Sequence, residues 1–155
     1  MLHTIDQDDI LLQTQFWTMV LLWKQQYLGA SMLILNRQSD SLADLSVIEL
    51  VNMQNCFAQY EMTMKAAFDA TMFNYSCLMN HGYQHTPPTP WVHWWIRPRY
   101  NSNVNFNGKR FNDTNFGYFY DRETEKLEPS KDFDKAYRLS IVTHFRTTFT
   151  SIVED

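Results

Sequence analysis

Pro90-Trp91-Val92-His93-Trp94-Trp95-Ile96-Arg97-Pro98-Arg99-Tyr100 is the stretch on which the reading of this chain turns. Prolines flank the Trp91 to Arg97 run rather than interrupt it, and its residues are aromatic or β-branched, which predicts one extended strand. With a side-chain period of two, Trp91, His93, Trp95 and Arg97 share one face, while Val92, Trp94 and Ile96 share the other. A single imidazole therefore lies between two indoles, with a guanidinium farther along.

Working outward, His81 to Pro90 carries three prolines and a glycine and reads as a loop. Thr71 to Asn80 ahead of it reads as a strand, with Phe73, Tyr75, Cys77 and Met79 on one face and Asn74, Ser76, Leu78 and Asn80 on the other. Ser46-Val47-Ile48-Glu49 fits a capping box. A helix over 46–69 follows, with Leu50, Met53, Phe57, Tyr60, Met64 and Phe68 forming an apolar stripe that needs a sheet to cover. Phe16 to Trp23 and Tyr27 to Leu35 predict two antiparallel strands joined by a short turn at Lys24-Gln25-Gln26. Residues 1–13 are polar and acidic around Ile10 to Leu12 and read as an arm or short helix.

Downstream of the opening stretch, Asn107-Gly108 sits between short apolar runs and predicts a hairpin, because both residues accept positive φ. Glu123 to Lys131 is a charged linker. Lys131 to Val153, with Phe133, Tyr137, Ile141, Phe145 and Phe149 at intervals of four, predicts a C-terminal helix along the sheet. The fold class is thus α+β: an antiparallel sheet of about five strands with a long helix across it and a second helix beside it.

Composition bounds the function. At 155 residues the expectation is one domain, since a chain of about this length buries roughly 70% of its unfolded surface. A net charge of −4 disfavours a polynucleotide partner, although a local pocket for a mononucleotide stays open. No apolar run approaches the roughly 18 residues of a membrane span, and Asp6, Asp8 and Asp9 are unlike the basic start of a signal peptide. The protein is expected to be soluble and cytoplasmic, with no membrane partner. Cys56 and Cys77 lie in apolar stretches without CxxC spacing and read as reduced thiols. His81 and His85 are four apart, but no nearby Cys or paired carboxylate completes a tetrahedral set, so no metal is expected.

The order of strand, strand, capped helix, strand, proline-rich loop and His-bearing strand resembles the histidine triad (HIT) family of nucleotide hydrolases and transferases. The likeness covers roughly residues 16–100, leaving 1–13 as an N-terminal arm and 101–155 as a hairpin and helix extension of a single HIT-like domain, 1–155. Arg37 to Leu50, with Leu42-Ala43-Asp44-Leu45-Ser46 and Glu49, resembles the family's lead-in to its long helix. Asn80, eleven residues ahead of Trp91, matches an amide that touches the substrate phosphate, and Pro98-Arg99 matches the Pro-Arg that often follows the triad. His93 matches the central histidine, which attacks the α-phosphorus and forms a nucleotidyl-imidazole intermediate.

Three departures stand beside that match. The outer triad positions hold Trp91 and Trp95, and an indole offers one N–H donor and no charge. Where many members have Gly-Gln-Ser ahead of the triad, this chain has Thr86, Pro87 and Pro88, and proline has no amide to donate. Where some branches carry a further histidine on the second strand, it reads Gly29-Ala30-Ser31. The resemblance implies a nucleotide or nucleoside phosphate as ligand, no separate cofactor, and a homodimer paired edge to edge or through the long helix. It leaves two functions open. One is weak nucleotidyl hydrolysis or transfer through His93, with Asn80, Arg97 and Arg99 on phosphate and Trp91 and Trp95 stacking on the base. The other is a non-catalytic nucleotide- or nucleoside-binding protein that keeps the pocket without the chemistry. For the tryptophans in either case, packing as core or rim stands against stacking on the base.

Overall fold

A computed structural model of the chain describes residues 5–120 and 134–154. Its centre is a five-stranded antiparallel sheet in the order β1-β2-β3-β5-β4, built from β1 (Ile10–Gln13), β2 (Trp17–Leu21), β3 (Ser31–Leu35), β4 (Met72–Ser76) and β5 (His93–Arg99). Between β3 and β4 runs α1 (Val47–Phe68); after β5 come the hairpin β6 (Val104–Phe106) and β7 (Lys109–Phe111), and then α2 (Lys135–Glu154). The α+β class read from the sequence holds. The charged linker expected over Glu123 to Lys131 lies outside the described residues.

One face of the sheet makes the core. Trp17, Met19, Leu33, Leu35, Val92 and Ile96 are buried there against Cys56, Tyr60, Met64 and Phe68 of α1 and against Ile141, Val142 and Phe145 of α2. Phe57 meets Trp94 edge-on with ring centroids 5.9 Å apart, and Tyr60 lies 5.9 Å from Phe145. Leu50, expected in the stripe, is instead 41% exposed, because the stripe turns inward only from Met53 and Cys56 onward. α2 packs on α1 and meets the sheet at its outer strand β1. Its basic residues hold the acidic N-terminal segment: Lys135 pairs with Asp6 and Asp8, Arg138 with Asp9, and Arg146 donates to the Ile10 carbonyl. The segment read as an arm thus supplies an edge strand.

Two strands are shorter than expected. β2 and β3 are joined by residues 22–30 and not by a short turn, because Gln25 folds inward, fully buried. Its amide donates to the Leu22 and Ala30 carbonyls and accepts from the Gly29 amide at 2.7 Å. Gly29 takes φ +82°, open to glycine without strain, and packs so closely on Met64 that a Cβ would lie 2.2 Å from that side chain. β4 ends at Ser76 and not at Asn80, since Met79 adopts φ 52° and starts a 3-10 turn over Asn80–Gln84. β5 runs the other way, past Pro98. Val92 and Pro98 point the same way along the strand, toward β3, and the β3 ladder has already ended at Ser31 opposite Ile96, so the missing proline N–H costs no ladder bond.

The capping box forms as read: the Ser46 hydroxyl accepts from the Glu49 amide, and the Glu49 carboxylate accepts from the Ser46 amide at 2.7 Å. That carboxylate is also gripped by Arg37, with Nε 2.6 Å from Oε1 and Nη2 2.9 Å from Oε2. Hydrogen bonding from Arg37, reinforced by Ser46 and opposed by burial, lowers the carboxyl from its ordinary 4.5 to about 2. A depressed carboxyl stabilises the fold above its unfolded value and loses that contribution as pH falls through the folded value. Stability is therefore expected to decline between about pH 4.5 and pH 2 as Glu49 protonates, and Glu49→Gln should flatten that part of the profile. Thermal melts across this range check it; an unchanged acid limb would count against the role given to Glu49.

Candidate active site over β5

The sheet face turned away from α1 carries Trp91, His93, Trp95 and Arg97, as the alternation predicted, and Arg99 as well. Antiparallel pairing sets Ile34 and Met32 of β3 beside His93 and Trp95, and Ser76 and Asn74 of β4 beside Trp95 and Arg97. The polar site thus sits between the two strands that flank β5.

His93 is 4% exposed. Its Nδ1 lies 2.7 Å from the Trp91 carbonyl oxygen, which can only accept, so Nδ1 is the donor in this contact and the lone pair of the neutral ring is on Nε2. The Trp95 ring meets the imidazole edge-on, centroids 6.0 Å apart at 69°. Trp91 stands just ahead of the strand. Its Nε1–H donates to the Leu35 carbonyl at 2.7 Å, and its ring packs on the cluster of Ile10, Val20 and Ile34.

The two arginines differ. Arg97, 8% exposed, has its guanidinium 4.2 Å from the Tyr120 ring and 5.8 Å from that of Trp95. Arg99 is wholly buried: it makes a two-pronged pair with Asp113 at 2.6 and 2.9 Å, and donates to Asn74 Oδ1 and to the carbonyls of Asn115 and Tyr118. It thereby pins residues 112–120 across the face. Spacing gave no sign of that partnership; Asn112, Asp113, Asn115 and Gly117, the last at φ +82°, are turn-forming residue types that signal a loop but not where it lands.

No protein-family model matches the chain, and no curated protein does. Solved structures do. A hypothetical histidine triad nucleotide-binding protein from Sulfolobus tokodaii is 12% identical with a TM-score of 0.66, the match covering 93% of this chain and 85% of that one. A histidine triad protein from Marinobacter aquaeolei is 12% identical with a TM-score of 0.65, covering 92% and 90%. The Plasmodium falciparum diadenosine triphosphate hydrolase is 15% identical with a TM-score of 0.59, covering 95% and 80%.

The chain has the histidine triad fold.

On this histidine triad fold the residues singled out from the sequence fall into two groups. Trp91, His93, Trp95, Arg97 and Arg99 come together on one face. Asn80 does not join them; it is exposed on the 3-10 turn, and extending the β4 pairing by two residues brings Leu78 opposite His93. His81 and His85 lie edge to face at 5.0 Å on that turn, and His81 Nδ1 is 3.3 Å from Gln84 Oε1. Among the described residues no group of three His, Cys, Asp or Glu side chains is placed to hold a metal. Burial raises the Cys77 thiol above its ordinary value, which favours the neutral thiol, and the His93 backbone amide partly offsets that rise. Among the described residues no helix is long and apolar enough to cross a membrane.

Proposed function

We propose that this chain binds the phosphate of a nucleotide over His93 and carries slow nucleotidyl hydrolase or transferase activity through that residue. The observation that supports it best is the Nδ1 contact to the Trp91 carbonyl, which selects the neutral tautomer whose nucleophilic lone pair is on Nε2. In the reaction Nε2 attacks the α-phosphorus and a P–N bond forms. The leaving group departs with the electron pair of its bond to phosphorus, P–O in a dinucleoside polyphosphate or P–N in a phosphoramidate. Water or another acceptor then attacks phosphorus and gives up its proton to solvent, the P–N bond to the imidazole breaks with its electron pair going to Nε2, and the neutral imidazole returns. The diadenosine triphosphate hydrolase among the structural neighbours works on a substrate of this class.

Slowness follows from what surrounds the nucleophile. The Trp91 N–H is committed to Leu35, Arg99 is committed to Asp113, and Trp95 brings no charge. One missing donor to developing charge commonly costs 10² to 10³ in rate. The 4% exposure of His93 favours a second reading, a nucleotide-binding protein without turnover. In either reading two copies pair through the outward side of α1, where Val47, Ile48, Val51 and Met62 are exposed, and the protein works in the cytoplasm.

Intact-mass spectrometry after incubation with adenosine phosphoramidate or diadenosine triphosphate separates the readings. A nucleotidyl adduct on the wild type that is absent from His93→Ala supports slow catalysis. No adduct, with AMP binding measured by calorimetry, leaves the binder. Neither adduct nor binding overturns both.

A further inference from the structure

Two side-chain polar atoms among the described residues are buried without a hydrogen-bond partner, Ser76 Oγ and Trp94 Nε1. Trp94 faces α1, where its ring meets Phe57. Ser76 faces the other way. It pairs with Trp95 across the β4–β5 ladder, so its side chain shares the site face, beside the Trp95 indole and diagonal to His93. Diagonal neighbours on an antiparallel pair lie about 7–8 Å apart, a gap that a single phosphoryl group held at the imidazole can bridge.

A buried hydroxyl with no partner is destabilising and calls for a reason. Its neighbours on this face have partners already: Asn74 Oδ1 takes Arg99, and the Trp91 N–H takes Leu35. Ser76 is the hydroxyl left over. We propose that Ser76 is a phosphate-binding residue of the His93 site, its unpartnered hydroxyl donating to a phosphoryl oxygen of the bound nucleotide once the Trp95 indole shifts to admit it. The assignment rests on the reading that a nucleotide phosphate binds over His93. It adds a donor from β4 that neither the strand pattern nor the loop turn indicates.

The test is AMP affinity by calorimetry, together with the thermal midpoint, for wild type, Ser76→Ala and Ser76→Thr. A hydrogen bond to a charged oxygen is worth about tenfold in affinity or more. Ser76→Ala is expected to bind AMP roughly tenfold more weakly while melting at the same temperature or higher, and Ser76→Thr, which keeps the hydroxyl, to bind within about twofold of wild type. Undiminished binding by Ser76→Ala, or a lowered melting point that shows the hydroxyl to be structurally engaged, overturns the inference alone. Failure of the wild type to bind AMP removes the underlying reading, and Ser76 with it.

Discussion

Arg99→Met is expected to cost about 3–5 kcal/mol of folding stability, the usual penalty for stranding the partner of a buried ion pair. Arg99 is 0% exposed and the Asp113 side chain 2%, so neither charge has water to fall back on. Without the guanidinium, the Asp113 carboxylate keeps, among the described residues, only the Tyr100 amide at 3.3 Å, and the carbonyls of Asn115 and Tyr118 lose the Arg99 donor. The guanidinium also lies 5.1 Å from the Tyr27 ring, a contact that methionine replaces only in part. Urea denaturation reads the loss directly, and the melting point should fall by about 10 °C or more. Adding Asp113→Asn is expected to recover part of it, because the stranded charge goes. A single variant as stable as the wild type would mean that residues 112–120 are not held by this pair.

Trp95→His is expected to raise nucleotidyl transfer about 10²-fold, the usual worth of one restored donor to a developing oxyanion. The position suits the exchange. Trp95 shares the His93 face, its ring 6.0 Å away, and is only half-buried, so a polar ring there meets solvent on one side. An imidazolium brings a charge that the indole lacks. Trp91→His is the poorer choice for the same experiment, since Trp91 fills the space over Ile10, Val20 and Ile34 and bonds to Leu35. Single-turnover hydrolysis of diadenosine triphosphate by the two proteins gives the ratio. Equal rates would show that the outer position is not what limits turnover.

The alternation of β5 was legible because it depends on local pattern alone: a period of two fixes which side chains share a face wherever the strand is placed. The Ser46–Glu49 cap and the Asn107-Gly108 hairpin were legible for the same reason, the hairpin forming with φ 44° and 77° at its turn. Chain distance hid the rest. Arg99 and Asp113 are separated by a hairpin, and nothing in their spacing says they are buried together. Gln25 reads as a polar break, yet three backbone groups around it make it an interior residue. Asn80 was placed by counting back from Trp91, but the left-handed Met79 takes the chain out of the strand first. Ser76 carries no signal of its own; only its register opposite Trp95 and its lack of a partner set it apart.

Nitrogen-15 NMR of the histidine side chains during an AMP titration tests the central claim most directly, with His93→Ala assigning the signal. The account predicts a saturable shift at His93 Nε2, the ring nitrogen not engaged by the Trp91 carbonyl. A His93 signal that stays still while AMP binds, with movement only at His81 and His85, would contradict it.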